Sequence, residues 1–119
     1  MNLRIRRIYE PPHPDDGARI LVDGLWPRGV SKQKAALTLW LKAIAPTKAL
    51  RQWYDHEPAK WDEFRRRYGQ ELDANTAAVA QLRAIIAAGP TTLLFAAHDV
   101  DHSNAAALAD YLDGGLGRA

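Results

Sequence analysis

The sequence predicts a small single-domain α/β fold in three layers, in which a mostly parallel sheet is flanked by helices. The chain has 119 residues, of which 47% are hydrophobic and 25% charged, and this size suits one domain. Strand-like apolar runs occur near both ends of the chain, and segments with helical spacing lie between them. The connection between the last two strands is far too long for a hairpin, so parallel pairing through helices is expected.

Three segments have strand character. Residues 3–9, LRIRRIY, alternate apolar and basic side chains, which predicts an edge strand whose direction the sequence leaves open. Residues 19–25 form a nearly continuous apolar run, which is typical of a central strand covered on both faces. Residues 91–97, TTLLFAA, predict a second buried strand.

Five segments have helical character. Residues 33–45 carry apolar side chains at three- and four-residue spacing up to the Ala45-Pro46 pair, which predicts an amphipathic helix. Pro58 suits the first turn of another helix, whose apolar face comprises Trp61, Phe64, Tyr68 and Leu72. Further helices are predicted over 47–54, before the stop signal Gly89-Pro90, and over 104–112. The side chains expected to be largely buried are those of Trp26, Trp40, Trp61, Phe64 and Leu94.

The composition excludes several classes of protein. We expect one domain over residues 1–113, followed by a flexible tail at 114–119. Cysteine is absent, which excludes disulfides, thiolate metal sites and a cysteine nucleophile. No apolar stretch approaches the ~20 residues of a membrane span, and no signal-peptide core follows the basic start of the chain. A cytoplasmic protein with no membrane partner and no cofactor is therefore expected.

The charge of the chain is unevenly distributed. Residues 1–53 hold ten Lys and Arg against four Asp and Glu, whereas the rest holds six against ten. Such a split often accompanies an anionic ligand or partner on the basic side. A solvated surface with uneven charge gives the same count, so charge alone does not decide between them.

Two loops leave the carboxyl ends of the predicted buried strands, where open α/β sheets bind their ligands. The first loop, WPRGVSK, offers groups suited to a phosphate or carboxylate at Arg28, Gly29, Ser31 and Lys32. A structural alternative is that Arg28 pairs with Asp23 or Asp99 and that Ser31 simply caps a helix. The loop lacks the P-loop pattern, so an ATP-hydrolysing motor is not predicted.

The second loop, HDVDHSN at residues 98–104, concentrates groups for proton transfer. Asp99 and His98 directly follow a buried strand and are candidate catalytic residues. Between the two loops in the chain, Arg51 and His56 are candidate ligand-binding residues for the same pocket. No metal site is predicted; the alternative is a histidine site built from His56, His98 and His102.

The chain also resembles a known family. The segments that carry the resemblance are RILVDGLWPRGVSK, WLKAIAPT, LRQWYDHEPAKWDEFRRRYGQEL and LLFAAHDVDHSNAAALADYL. They resemble the YeaO-like branch of a bacterial domain-of-unknown-function family over almost the whole chain. The resemblance implies a compact cytoplasmic α/β domain and no established reaction, and the positions that match the family motifs are Arg28, Lys32, Asp99 and Asn104. The chain departs from the family pattern at Gly24, Ala43 and His98, where the branch usually has arginine, glutamate and lysine.

Three functions remain open on the sequence. The first is binding of a small anionic molecule, phosphate- or carboxylate-bearing or nucleotide-like, at the carboxyl edge of the sheet, with acid–base turnover as an extension. The second is a regulatory module that binds nucleic acid or a protein, which requires one exposed basic face and a steep salt dependence. The third is a histidine-based metal-binding protein. We favour the first because it alone uses both loops; whether the protein is an enzyme, and its oligomeric state, are left open.

Overall fold

A four-stranded parallel sheet forms the centre of the molecule, which a computed structural model describes over residues 2–114. The strands are β1 (Leu3–Arg7), β2 (Ala18–Leu21), β3 (Leu39–Trp40) and β4 (Thr91–Phe95), in the spatial order β1-β4-β2-β3. The parallel α/β fold is thus confirmed, with β1 at an edge and β2 and β4 in the centre. Of the predicted tail at 114–119, the residues after Gly114 lie outside the described range.

Register places the carboxyl ends of three strands at one edge of the sheet. Thr91 of β4 pairs with Leu3 on one side and with Ala18 on the other. The direction of β1, which the sequence left open, is therefore parallel to its neighbour. Because all strands run the same way, the loops that follow β2 and β4 emerge side by side.

Five α-helices surround the sheet. They are α1 (Lys32–Ala35), α2 (Lys48–Tyr54), α3 (Trp61–Ala74), α4 (Thr76–Ala88) and α5 (Asn104–Leu112). A 3₁₀ turn at Pro58–Lys60 leads into α3, as the proline predicts. Helix α4 ends at Gly89, also as predicted. No helix in the described range 2–114 has the length and apolarity needed to cross a bilayer.

The prediction of one helix over residues 33–45 is wrong. Helix α1 ends at Ala35, and Ala36 adopts a left-handed conformation with φ of 49°. The chain then forms β3, where Leu39 and Trp40 pair with β2. An unpaired outer edge of β2 would leave buried backbone groups without partners, and this requirement overrides the local helical spacing. A 3₁₀ turn over Lys42–Ile44 completes the segment.

Each face of the sheet has its own core. The larger core lies under helices α2 to α5 and includes Ile20, Leu93 and Phe95. The smaller core, on the opposite face beneath α1 and its flanking loops, comprises Ile8, Leu21, Ala35 and Leu94, with Trp26, Val30, Leu37, Trp40 and Ala96 packed against it. The layer that covers the second face, formed by α1 and its flanking loops, is therefore thinner than the layer formed by α2 to α5.

The burial predictions are partly confirmed. Phe64 and Leu94 are fully buried. Trp26, Trp40 and Trp61 are only half-buried. Trp26 and Trp40 meet edge to face, with ring centroids 5.5 Å apart, at the rim of the smaller core. Each indole in this pair donates a hydrogen bond to backbone, so a part of each ring stays near the surface.

A buried ion pair holds the opposite, amino-terminal edge of the sheet. The guanidinium of Arg19 on β2 donates to the carboxylate of Asp16 and to the carbonyl oxygen of Ala35. Asp16 also accepts the backbone N–H of His13 at 2.9 Å. Gly17, between Asp16 and β2, has φ of 64°, and a Cβ there would lie 2.1 Å from the carbonyl oxygen of Pro90. Only glycine fits this close approach.

Candidate ligand-binding site

A cavity of about 620 Å³ opens where β2 and β4 end. We call it the sheet-edge cavity. Seven of the residues singled out in the sequence line it: Arg28, Arg51, His56, His98, Asp99, His102 and Asn104. The two strand-end loops and helix α2 therefore meet at one site, as the sequence predicts.

Three candidate ligand-binding residues of the first loop lie outside the sheet-edge cavity. The hydroxyl of Ser31 accepts the backbone N–H of Lys34 at 3.1 Å, so this serine caps α1. Gly29 has φ of 78° and is exposed, which gives it a role in turning the loop. Lys32 is exposed at the start of α1 and does not line the cavity. The loop turns after Arg28, and this turn carries all three away from the cavity.

Three aromatic side chains brace the loop that forms one wall of the cavity. The hydroxyl of Tyr9 donates to the carbonyl oxygen of Arg28 at 3.0 Å. The indole N–H of Trp26 donates to the carbonyl oxygen of Val30 at 2.7 Å, and that of Trp40 donates to the carbonyl oxygen of Asp23 at the same distance. These bonds explain the bulky aromatic residues in a loop, because they hold the wall in place without a ligand.

Arg28 stands at the cavity wall with its side chain exposed. The ion pairs found within residues 2–114 do not include it. The structural alternative, in which Arg28 pairs with Asp23 or Asp99, is therefore not the arrangement in this structure. Its charge is available at the cavity mouth, where it contributes long-range attraction for an anion.

Arg51 lies deeper in the cavity, on helix α2. A Cβ added to Gly24 would lie 3.1 Å from Nη1, 3.2 Å from Cζ and 3.4 Å from Nη2 of Arg51. These nearly equal distances place the flat face of the guanidinium against Gly24, so that this contact leaves the N–H groups of Nη1 and Nη2 for other partners. Its Nε is buried and has no hydrogen-bond partner in the part of the chain that the structure describes.

Asp23 is a cavity residue that the sequence placed only as a structural partner. It follows β2 directly, and its Oδ2 accepts the backbone N–H of Ala96 after β4 at 2.9 Å. Burial raises the pKa of the Asp23 carboxyl, although the Ala96 N–H, Asn104 and the charge of Arg51 oppose the rise. The signal that singled out His98 and Asp99, a polar residue just after a buried strand, applies equally to Asp23.

Asn104, at the start of α5, joins the helix to the sheet. Its side-chain amide donates to the carbonyl oxygen of Val22 at 3.1 Å. Part of its hydrogen-bonding capacity is thus used within the protein, and the residue also lines the cavity. Asn104 therefore serves both to hold the end of β2 and to line the site.

Asp99 and His102 form a pair at the cavity wall. Nδ1 of His102 lies 2.8 Å from Oδ2 of Asp99, and the imidazole meets Trp61 edge to face at 5.2 Å. Hydrogen bonding and charge from His102 hold the pKa of Asp99 below its ordinary value. Asp99 is thus engaged with the ring of His102. The sequence predicted Asp99 and His98 as catalytic residues; both line the cavity, and His98 is exposed.

Tyr54 connects this pair to helix α2. Its hydroxyl donates to the carbonyl oxygen of His102 at 2.8 Å. Burial, together with the nearby Asp99 carboxylate, raises the pKa of Tyr54 to about 12. The hydroxyl therefore remains a donor at every pH at which the protein is expected to work.

The three histidines of the alternative metal site share the cavity without converging. His56, His98 and His102 all line it. Among residues 2–114, no three His, Asp or Glu side chains are placed to hold one metal ion. His56 follows Asp55, and both have left-handed backbone conformations with φ of 55° and 47°. This turn at the end of α2 leaves His56 exposed.

Replacing Asp23 by asparagine is expected to raise the melting temperature of the unliganded protein at pH 7. The folded-state pKa of Asp23 lies above the ordinary value of 3.8, so the ionised carboxylate opposes folding. The cost appears as the pH rises from 3.8 through the folded pKa, and it is absent below 3.8. The amide oxygen of the introduced asparagine would still accept the N–H of Ala96. Thermal melts from pH 3 to pH 8 test this, and a variant less stable than the wild type at pH 7 would contradict it.

Comparison with known proteins places the chain among bacterial relatives. The model of a family described as the inactive DUF488-N3 subclade matches residues 2–119. An uncharacterised protein of Mycobacterium tuberculosis is 44% identical over 112 residues, which cover 94% of each chain. The uncharacterised protein YeaO of Escherichia coli is 39% identical over 112 residues, covering 94% of this chain and 97% of YeaO. No solved structure matches the chain significantly.

Proposed function

This chain belongs to the inactive DUF488-N3 subclade, and from that membership we propose that the sheet-edge cavity binds a small anionic molecule without converting it. The observation that carries the proposal is Arg51, which lines the cavity and takes part in none of the ion pairs within residues 2–114. The family description favours binding over turnover. The pair of Asp99 and His102 then serves to shape the cavity wall rather than to transfer protons.

An arginine in this state favours a ligand with two oxygens. A guanidinium that lines a cavity without an ion pair attracts an anion to that cavity. Carboxylates and phosphates accept two parallel N–H bonds from one guanidinium. Gly24 supports the flat face of Arg51 and leaves its edges for that purpose. Arg28 at the cavity mouth adds attraction without occupying the site.

We do not favour nucleic-acid binding, because several basic residues of the amino-terminal half are used inside the fold. Arg19 is buried, and Arg7 donates to the carbonyl oxygens of Ala96 and Ala97 at 3.1 and 2.9 Å. These residues do not add to an exposed basic face. Protein binding stays an alternative from the sequence, and the cytoplasmic location stays a prediction.

Arg51→Met is expected to weaken anion binding by about tenfold to a hundredfold, because a hydrogen bond to a charged group contributes about 1.5–3 kcal/mol. A screen of anionic metabolites by thermal shift, followed by calorimetric titration of each stabilising compound, measures the loss. Methionine keeps an unbranched apolar stem like that of arginine and removes the guanidinium and its charge.

Arg4→Met is the matched control, because Arg4 is an exposed arginine on β1 outside the cavity. It is expected to leave the affinity unchanged. The proposal would be refuted by an anion that binds the wild type and Arg51→Met equally, or by a screen in which no anion stabilises the wild type.

A further inference from the structure

We infer that the sheet-edge cavity takes a zwitterion, namely a free α-amino acid with an apolar side chain, whose carboxylate meets Arg51 and whose ammonium meets Asp23. The inference rests on the proposed function, because it names the ligand class of the same cavity. It depends on three features. The side chains of Arg51 and Asp23 carry opposite charges but form no ion pair, neighbouring residues hold each of them in place, and the rest of the cavity wall is apolar.

The two charges are neighbours that stay apart. The guanidinium of Arg51 lies on Gly24, the residue next to Asp23 in the chain, and both charged side chains line the cavity. The ion pairs within residues 2–114, taken at distances up to 4.0 Å, include neither of them. A purely anionic ligand would compensate Arg51 but would be repelled by Asp23. A ligand that carries both signs compensates both residues.

Contacts from behind hold each charge in place. The Ala96 N–H binds one oxygen of Asp23, and the carbonyl oxygen of the same aspartate accepts the indole N–H of Trp40. The guanidinium of Arg51 packs against the backbone of Gly24, and a Cβ at residue 24 would lie only 3.1 Å from its Nη1. Asp99, the other carboxylate of the cavity, is already bound to His102. Asp23 is therefore the carboxylate placed to receive an ammonium.

The rest of the cavity suits an apolar body. A volume of about 620 Å³ is far larger than one carboxylate or phosphate needs and falls within the range of sites for small organic molecules. Its apolar wall is formed by Leu25, Trp26, Pro27, Pro46, Tyr54 and Phe64. Such an apolar and aromatic wall favours an apolar or aromatic side chain over a second phosphate.

Three compounds separate the contributions of the two charges. L-phenylalanine carries both groups, 3-phenylpropionate lacks the ammonium, and 2-phenylethylamine lacks the carboxylate. Calorimetric titration of the whole protein at pH 7 is expected to show L-phenylalanine binding at least about tenfold more tightly than either analogue, since each loses one charge-assisted contact. In Asp23→Asn, the preference for L-phenylalanine over 3-phenylpropionate is expected to disappear while 3-phenylpropionate still binds.

Asp101→Asn provides the control. Asp101 is exposed and belongs to the loop at residues 98–104, other residues of which line the cavity, but Asp101 itself does not line it. It is expected to keep the preference of the wild type. Equal binding of 3-phenylpropionate and L-phenylalanine to the wild type would overturn the zwitterion and leave the proposed function standing. Binding of adenosine 5′-monophosphate without binding of L-phenylalanine would do the same. If no anion binds at all, the proposed function itself is refuted.

Discussion

Replacing Arg19 by methionine is expected to lower the free energy of unfolding by about 3–5 kcal/mol. Arg19 is 6% exposed and its partner Asp16 is 1% exposed. Without the guanidinium, the Asp16 carboxylate remains buried and uncompensated, and the carbonyl oxygen of Ala35 loses its donors. Because Ala35 ends α1 beneath the sheet, the loss also loosens the smaller core. Urea unfolding monitored by tryptophan fluorescence measures the change.

Arg6→Met is the matched control for this ion pair. Arg6 lies 3.7 Å from the other oxygen of Asp16, but its side chain is partly exposed, so its loss is expected to cost only about 0–1 kcal/mol. A loss of similar size in both variants would contradict the assignment of the buried pair to Arg19.

Acid titration gives an independent readout of the same pair. Burial raises the pKa of Asp16, but the N–H of His13 and the Arg19 guanidinium outweigh it, so the net pKa lies below the ordinary 3.8. The stability from this depressed pKa is present above 3.8 and is lost as the pH falls through the folded value. Arg19→Met is expected to flatten that acid dependence.

Hydrophobic patterning was sufficient to predict β1, β2 and β4. Alternating apolar and basic residues indicated the edge strand β1, and continuous apolar runs indicated the central strands β2 and β4, which are covered on both faces. Patterning failed for residues 33–45. Leu37, Trp40 and Leu41 fit a helical stripe, yet Leu39 and Trp40 pair with β2 as β3. The deciding factor is the open edge of β2, which exists only once β4 has paired on its other side. Such a long-range requirement leaves no local mark in the sequence.

The sequence predicted which loops meet and named Arg51 as a candidate, but it did not predict the contacts that direct the Arg51 side chain. Parallel strands bring their following loops together, so the meeting of Arg28, Asp99 and Asn104 follows from the order of the elements. The direction of Arg51 depends on the phase of α2 and on the absence of a Cβ at Gly24. The sequence gives the glycine itself, but the phase of α2 and the contact between Gly24 and Arg51 are known only once α2 is packed. Asp23 could have been found, because it follows a buried strand directly.

Replacing Phe64 by alanine is expected to lower the free energy of unfolding by about 3–5 kcal/mol, because a fully buried ring leaves a large cavity when it is removed. Phe64 stacks on Tyr54 with ring centroids 4.2 Å apart. It also lies 5.9 Å from Trp61 and 5.8 Å from Tyr68. Removing it therefore takes the centre out of an aromatic cluster that joins α2 to α3. Denaturant unfolding measures the loss as a lower midpoint, with the dependence of the unfolding free energy on denaturant concentration unchanged.

Two companion variants separate the structural role of Phe64 from its place in the cavity wall. Trp61→Ala is expected to cost less than Phe64→Ala, because Trp61 is half-buried, and equal losses would contradict the central position of Phe64. Phe64→Leu keeps most of the volume and is expected to cost under about 1.5 kcal/mol. It removes the ring that supports Tyr54, whose hydroxyl holds the backbone of His102 at the cavity wall. If the wall depends on this stack, Phe64→Leu should weaken ligand binding more than it weakens the fold. Unchanged affinity in that variant would show that Phe64 supports the core alone.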